Sequence, residues 1–166
     1  MMSEQTIYSA FTCKWNGFIR HLRTDVEIRT EDNFFNGIAL WDTGATSSCI
    51  SQKVINKMGL IATGQMNVLT PQGSMQVGTY LVDIFLPNKV LIKDVNVCGS
   101  NIDNQNLDML IGMDIISLGD FAITHSGDTT VFSFCAPSKK PIDFALSISF
   151  ENKAGKHGKG KGKRKK

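Results

Sequence analysis

No stretch of this 166-residue chain is apolar for the roughly 18 residues that a membrane-spanning helix requires. The first residues, Met1-Met2-Ser3-Glu4-Gln5, lack the basic and apolar regions of a secretory signal. These two absences lead us to expect a cytoplasmic protein with no membrane contact. Cysteine is sparse and scattered: Cys13, Cys49, Cys98 and Cys135 form no close pair in sequence, which argues against a zinc site or a redox motif read from spacing. Thiols so placed are expected to be reduced and mostly buried. Histidine is scarcer still, and His21, His125 and His157 show no metal-ligand spacing. No glycine-rich segment has the form of a phosphate loop. The expectation is therefore a protein without metal or organic cofactor.

Acidic residues are missing from residues 153–166, which carry eight of the 18 lysines and arginines. The other ten basic residues stand against all 15 acidic ones, so the overall charge of +3 divides into a body of −5 and a polycationic tail. Glycines 155, 158, 160 and 162 interrupt the lysines and remove any apolar face, so 153–166 is expected to be disordered. Such a tail suits weak, sequence-independent contact with a polyanion such as nucleic acid, and equally a solubilising role. No aromatic residue sits in the run to stack on bases.

A chain of this length with 42% hydrophobic residues can bury one core and is too short for two. Residues 1–20 show little periodicity and read as an N-terminal arm, with Phe11, Trp15, Phe18 and Ile19 available to pack on the body or on a partner. From Arg23 the pattern alternates, with Val26 and Ile28 flanking Glu27, as in a half-buried strand. The polar run Thr30-Glu31-Asp32-Asn33 predicts a turn into a strand from Phe34 to Trp41. Ile50, Val54, Ile55 and Met58 fall at helical spacing, and Gly59 supplies a stop. Residues 64–98 read as successive strands, with turns at Thr70-Pro71-Gln72-Gly73 and Pro87-Asn88. Phe121–Thr124 and Thr129–Phe134 form a further hairpin. Short strands with one or two short helices predict a small, closed, barrel-like all-β domain over residues 21–136. Residues 137–152 are expected to hold a strand whose alternating Ile142, Phe144, Leu146, Ile148 and Phe150 need a cover, which a partner subunit could provide.

The richest segment is Gly37-Ile38-Ala39-Leu40-Trp41-Asp42-Thr43-Gly44-Ala45-Thr46-Ser47-Ser48, in which an apolar strand delivers one aspartate into a tight turn. A carboxylate at the end of a buried strand costs several kcal/mol unless donors reach it. Thr43, Thr46, Ser47 and the turn amides are the donors at hand, and Gly44 allows close backbone approach. Some seventy residues on comes Leu107-Asp108-Met109-Leu110-Ile111-Gly112-Met113-Asp114. Asp-Thr-Gly-Ala followed at this distance by two apolar residues, Gly, any residue and Asp resembles the retropepsin-like aspartic proteases, closer to cellular or phage members than to a retroviral enzyme. The resemblance covers roughly residues 20–135 and implies the retropepsin (acid protease) fold. It implies that Asp42 is catalytic and that Thr43, Gly44 and Ala45 shape its turn. It further implies that Leu110, Ile111 and Gly112 brace that turn from below, and that Asp114 is structural.

Aspartic proteolysis needs two carboxylates sharing one proton, and this chain has one Asp-Thr-Gly. A symmetric homodimer in which Asp42 meets its own copy is the simplest solution. The resemblance implies the same arrangement, with Thr43 hydroxyls exchanging hydrogen bonds across the two-fold axis, and a polypeptide as substrate. The hairpin tip Gln72, Gly73 and Ser74 has the small residues of a flap that closes over an extended peptide. Met75, Val77 and Ile111 are the expected apolar walls. Cys49, beside the Asp turn but with no histidine partner, reads as a small buried residue rather than a nucleophile. The alternative from another class is a catalytically weak retropepsin-like dimerisation or binding module with a polyanion-binding tail. An intact Asp42-Thr43-Gly44 weighs against it, because binding alone has no need of that carboxylate.

Overall fold

The computed structural model describes residues 6–70 and 73–158. Along the chain the strands are β1 (Ser9–Asn16), β2 (Arg23–Arg29), β3 (Phe34–Trp41), β4 (Cys49–Ser51), β5 (Gly64–Thr70), β6 (Gly73–Leu86), β7 (Val90–Ser100), β8 (Met109–Ile111), β9 (Asp120–Ser126) and β10 (Thr129–Ala136). Three helices accompany them: α1 (Gln52–Met58) after β4, α2 (Met113–Ile116) after β8, and α3 (Phe144–Gly158) at the end.

Alternation sets the faces. In β2, Thr24, Val26 and Ile28 are buried while Arg23, Asp25 and Arg29 are exposed. The large sheet runs β2-β3-β8-β4-β7-β6-β5, and β2 also pairs with β6 through Glu27↔Phe85, Ile28↔Ile84 and Arg29↔Asp83. That second pairing closes six strands into a barrel and leaves β5 outside it as one arm of a hairpin. Thr30–Asn33 makes the expected turn, the Thr30 amide donating to the Asn33 carbonyl at 2.9 Å. Ser51 caps α1 by accepting from the Val54 amide, and Gly59, at φ +63°, ends the helix in a conformation that costs other residues more.

The second sheet is small and antiparallel, in the order β1-β10-β9. It packs on the barrel through rings: Trp41 lies 5.0 Å from Phe132 and 5.1 Å from Phe134, and Phe11 lies 5.4 Å from Phe132. Each such pair adds about 0.5–1.5 kcal/mol beyond area burial, so the two sheets share one core. The segment expected as an N-terminal arm is thus a strand of the body, with eight register pairs from Ser9↔Ala136 to Asn16↔Thr129. Phe11, Cys13 and Trp15 turn toward the core while Thr12, Lys14 and Asn16 are exposed, an alternation too short for the sequence alone to tell a strand from an arm.

The C-terminal expectation is corrected. Residues 142–150 form no strand; Phe144–Gly158 is helical. Asp143 starts the helix by accepting from the Leu146 amide at 2.8 Å through Oδ1 and from the Ser147 amide at 3.1 Å through its carbonyl. Phe144, Leu146, Ile148 and Phe150 remain 53–64% exposed. A lone strand leaves its backbone groups unpaired, whereas a helix satisfies them within the segment. With no strand beside it among the described residues, the segment adopts the helix despite its period-two pattern. Lys153–Gly158, expected to be disordered, continue α3, and the rest of the basic tail lies outside the described residues. No helix among the described residues is long and apolar enough to cross a membrane.

Candidate active site

β3 sends Ala39 and Trp41 into the main core and Ile38 and Leu40 to the opposite face, so Asp42 follows on the face of Leu40. β8 runs parallel to β3, pairing Leu40↔Leu110 and Trp41↔Ile111, and the ladder continues one step as the Asp42 amide donates to the Ile111 carbonyl at 2.9 Å. Asp42 is half-buried, while Thr43 and Gly44 are exposed. Its Oδ1 accepts from the Gly44 amide at 2.8 Å, and among the described residues Oδ2 has no partner. The hydroxyls of Thr43, Thr46 and Ser47, expected as donors, make no bond to Asp42 among the described residues. The turn's backbone does that work instead.

Beyond β8 the chain passes under the turn. The Met113 amide donates to the Ala45 carbonyl at 2.8 Å and the Asp114 amide to the Thr46 carbonyl at 3.2 Å. A Cβ on Gly112 would lie 2.8–3.0 Å from backbone atoms of Ser47 and Ala45, so only glycine fits there. Ser48 ties the layers together: its Oγ accepts from the Gly112 amide at 2.9 Å and donates to Asp114 Oδ1 at 2.7 Å, and its amide donates to Asp114 Oδ2 at 2.8 Å. Asp114 also accepts from the Ile115 amide at 3.0 Å, so both its oxygens are engaged by the fold. Ser48 is 0% exposed and was invisible in a run of small hydroxyl residues.

A second clamp involves Asp108, for which the sequence suggested no role. Its amide donates to the Ile38 carbonyl at 3.0 Å, and its Oδ2 accepts from the Ile38 amide at 2.9 Å. Its carbonyl accepts from the Ser51 amide, and Lys53 forms an ion pair with Oδ1, which has no hydrogen bond of good geometry. A Cβ on Gly37 would stand 2.6 Å from that of Asp108. Glycine inside a strand opposite an aspartate that opens an apolar run is the signal that could have revealed this pair.

On the Asp42 face lies an apolar cluster separate from the main core. Cys49, Cys98, Ile102 and Leu107 are buried there, with Ile38, Leu40, Met66, Val77 and Leu110 packed against them. Met66 and Val77 are register partners on the β5–β6 hairpin, so this cluster spans from the strand carrying Asp42 to the hairpin. Ile111, expected as a wall, is 0% exposed in the main core; Leu110 faces the site instead, because alternation turns neighbouring residues of β8 to opposite sides. Met75, on the hairpin, is 54% exposed. Gln72 lies outside the described residues. Gly73, at φ +121°, pairs with Thr70 and Ser74 with Leu69 at the outer end of the hairpin.

Two of the four thiols meet. Cys49 and Cys98 are register partners on the parallel strands β4 and β7, both free thiols buried in the same cluster. The neighbouring Cys98 thiol and burial push the Cys49 thiol up, while the Cys49 thiol beside it holds Cys98 below its usual range. Among the described residues no three histidine, cysteine, aspartate or glutamate side chains are grouped to hold a metal ion. A cleft of about 830 Å³ opens elsewhere, between β2, β3 and the Pro87 turn, lined by Asp25, Glu27, Arg29, Asn36 and Lys89, and does not include Asp42.

A search of curated proteins finds no match for the chain. Among solved structures, a retropepsin-like aspartic protease from Rickettsia conorii overlays with a TM-score of 0.52 at 14% identity, covering 80% of this chain and 98% of that one. The simian foamy virus (mac) protease matches 56% of this chain and 89% of its own at 19% identity, with a TM-score of 0.41. The retroviral protease-like domain of Ddi1 from Leishmania major matches 66% of this chain and 92% of its own at 15% identity, with a TM-score of 0.39. The fold is therefore retropepsin-like. Residues 32–117, just over half the chain, match the profile described as "gag-polyprotein putative aspartyl protease". They include both the Asp42 turn and the Gly112 segment that braces it, and the chain belongs to this aspartyl protease family.

Proposed function

We propose that the protein is an aspartic endopeptidase that works as a homodimer, with Asp42 of each subunit forming one shared site. The observation that carries this reading is the state of Asp42. Its turn is fixed by Gly112, Ser48 and Asp114, one carboxylate oxygen is held by the Gly44 amide, and the other has no partner among the described residues. Rigid backing and a free oxygen make half of a two-carboxylate centre. Exposed Thr43 is available to bond its copy across the axis.

Two such carboxyls at close range cannot both ionise, so the pair holds one proton. The ionised Asp42 takes a proton from a water, whose oxygen attacks the scissile carbonyl carbon. The protonated Asp42 delivers its proton to the carbonyl oxygen, giving a tetrahedral diol. Proton return to the amide nitrogen then breaks the C–N bond and restores the pair. The fold contributes by holding each turn in place, and Leu40, Leu110, Met66 and Val77 offer apolar contact to substrate side chains. The hairpin ending at Gln72, Gly73 and Ser74 is the proposed flap. Asp114 is assigned to structure, since its oxygens serve Ser48 and the Ile115 amide.

The test compares wild type with Asp42→Asn on a mixed peptide library. We expect wild type to cut and the variant to lose cleavage while melting at a similar temperature, because the amide keeps the shape and loses the shared proton. Equal fragments from both proteins would remove Asp42 from the chemistry. An inert but folded, dimeric wild type would favour the binding-module reading.

A further inference from the structure

Cysteine spacing in the sequence excludes a redox motif, yet the fold creates a thiol pair. β4 and β7 are parallel neighbours, and Cys49 stands directly opposite Cys98. Register partners in adjacent strands have Cα atoms about 4.8 Å apart and side chains on the same face. A disulfide needs Cα atoms roughly 4.4–6.8 Å apart, so the backbone requires no rearrangement to link them. Both thiols are free and buried in the same apolar cluster. Cys98 is also tied to the active turn: its amide donates to the Ser48 carbonyl at 3.1 Å, and Ser48 is the residue that joins Gly112 to Asp114.

The surroundings give the pair a task. Leu40 and Leu110 pack on it from the strands beside Asp42, and Met66 and Val77 from the hairpin. At 7% and 4% exposure the thiols share their cluster with Met66 and Val77 of that hairpin and with Ile102 and Leu107 of the segment after β7.

We infer that Cys49 and Cys98 form a redox-active dithiol in the floor of the apolar pocket beside Asp42, closing to a disulfide when the oxidant is a low-molecular-weight disulfide. The Cys98 thiolate attacks one sulfur of the oxidant, forming a mixed disulfide and releasing one small thiolate. The Cys49 thiolate then attacks the Cys98 sulfur and expels the second. Two protein thiols are oxidised, one small disulfide is reduced to two small thiols, and the two protons pass to those products. Cys98 is taken as the first nucleophile, its thiol being the one that the neighbouring Cys49 thiol holds below its usual range. The new bond fixes the already paired β4 and β7 to each other and removes the give of two independent side chains. The consequence for cleavage rests on the proposed endopeptidase reading; formation of the bond does not.

The test treats the full chain with glutathione disulfide, alkylates remaining thiols and maps linked peptides by mass. We expect a Cys49–Cys98 cross-link, retained in a Cys13→Ser/Cys135→Ser variant, and reversed by a dithiol reductant. Turnover of a short apolar peptide should fall by about tenfold on oxidation and return on reduction. Cys98→Ala should make the ratio of oxidised to reduced turnover close to one. Absence of the cross-link, or only glutathione adducts on Cys13 and Cys135, overturns the inference. A cross-link in a protein with no peptidase activity in either state upholds the dithiol and defeats the endopeptidase reading. A cross-link that leaves turnover unchanged overturns its effect on the site.

Discussion

Ser48 shows how much one buried hydroxyl can organise. It accepts from Gly112, donates to Asp114, and gives its amide to the same carboxylate, so loss of the hydroxyl strands the Gly112 amide and takes one donor from Asp114. Ser48→Ala should cost about 1–3 kcal/mol, the range for leaving buried groups unsatisfied, and Asp114→Asn a similar amount because an amide nitrogen would face a donor. Thermal melting checks both. For Asp114→Asn, a pure loss of turnover with unchanged melting would contradict a structural role. Gly112→Ala should be worse for catalysis than for stability. Its Cβ meets backbone that cannot rotate away, about 1–3 kcal/mol of overpacking, and the relief is displacement of the Asp42 turn. At this scale the meeting of the Asp42 turn with the Gly112–Asp114 segment was expected from the resemblance of their two motifs to the retropepsin-like proteases, and backbone bonds do join the two segments. Ser48 was hidden among Thr43, Thr46 and Ser47, which are equal to it in composition and differ only in direction. Leu110 and Ile111 exchanged expected roles because a pair of adjacent apolar residues does not announce which faces the core.

Single elements divide into those whose pattern met a partner and those whose pattern did not. β3 spans the predicted Phe34–Trp41, and α1 ends at the predicted Gly59, because burial and capping agreed. Residues 142–150 alternate like a strand but adopt α3, since alternation describes a face and says nothing of whether an edge is available. A helix with its large apolar residues more than half exposed contributes little to the core. Deleting residues 142–166 should therefore shift stability by no more than about 0.5 kcal/mol and leave turnover of a neutral peptide near wild type. A large drop in melting temperature would mean α3 is covered in solution. The approach to α3 is held by Asp120, which accepts from the Ser138 hydroxyl at 2.5 Å and the Lys139 amide at 2.8 Å. Those bonds, the hydroxyl first, hold its carboxyl below the usual range. A lowered folded value means the contact is complete above the ordinary carboxylate range and is lost as pH falls through the lowered one. Limited proteolysis of 137–143 should accelerate in acid, and Asp120→Asn should show that accelerated cutting already at neutral pH.

For the whole molecule, one chain supplies one Asp42, so the proposed activity is a property of pairs. Specific activity should fall as the protein is diluted below its dimer dissociation constant. A flat profile far below that constant, measured alongside sedimentation, would sink the shared site. The closed barrel was legible as a class because turn signals divide the chain into short strands. The small sheet was not: β1 and β10 are over a hundred residues apart, and nothing local to Ser9–Asn16 names its partner.

Trp41 sits one residue before Asp42, 5% exposed, with its indole nitrogen donating to the Thr24 hydroxyl at 2.9 Å and its ring against Phe132 and Phe134. The strand that leads into the Asp42 turn thus carries its own optical probe. Only Trp15 shares its emission band, and Trp15→Phe would leave a single fluorophore reporting from the seam between barrel and small sheet. Its wavelength and quenching should follow the packing behind the Asp42 turn in real time, so loosening of that seam becomes a signal that can be watched in unlabelled protein.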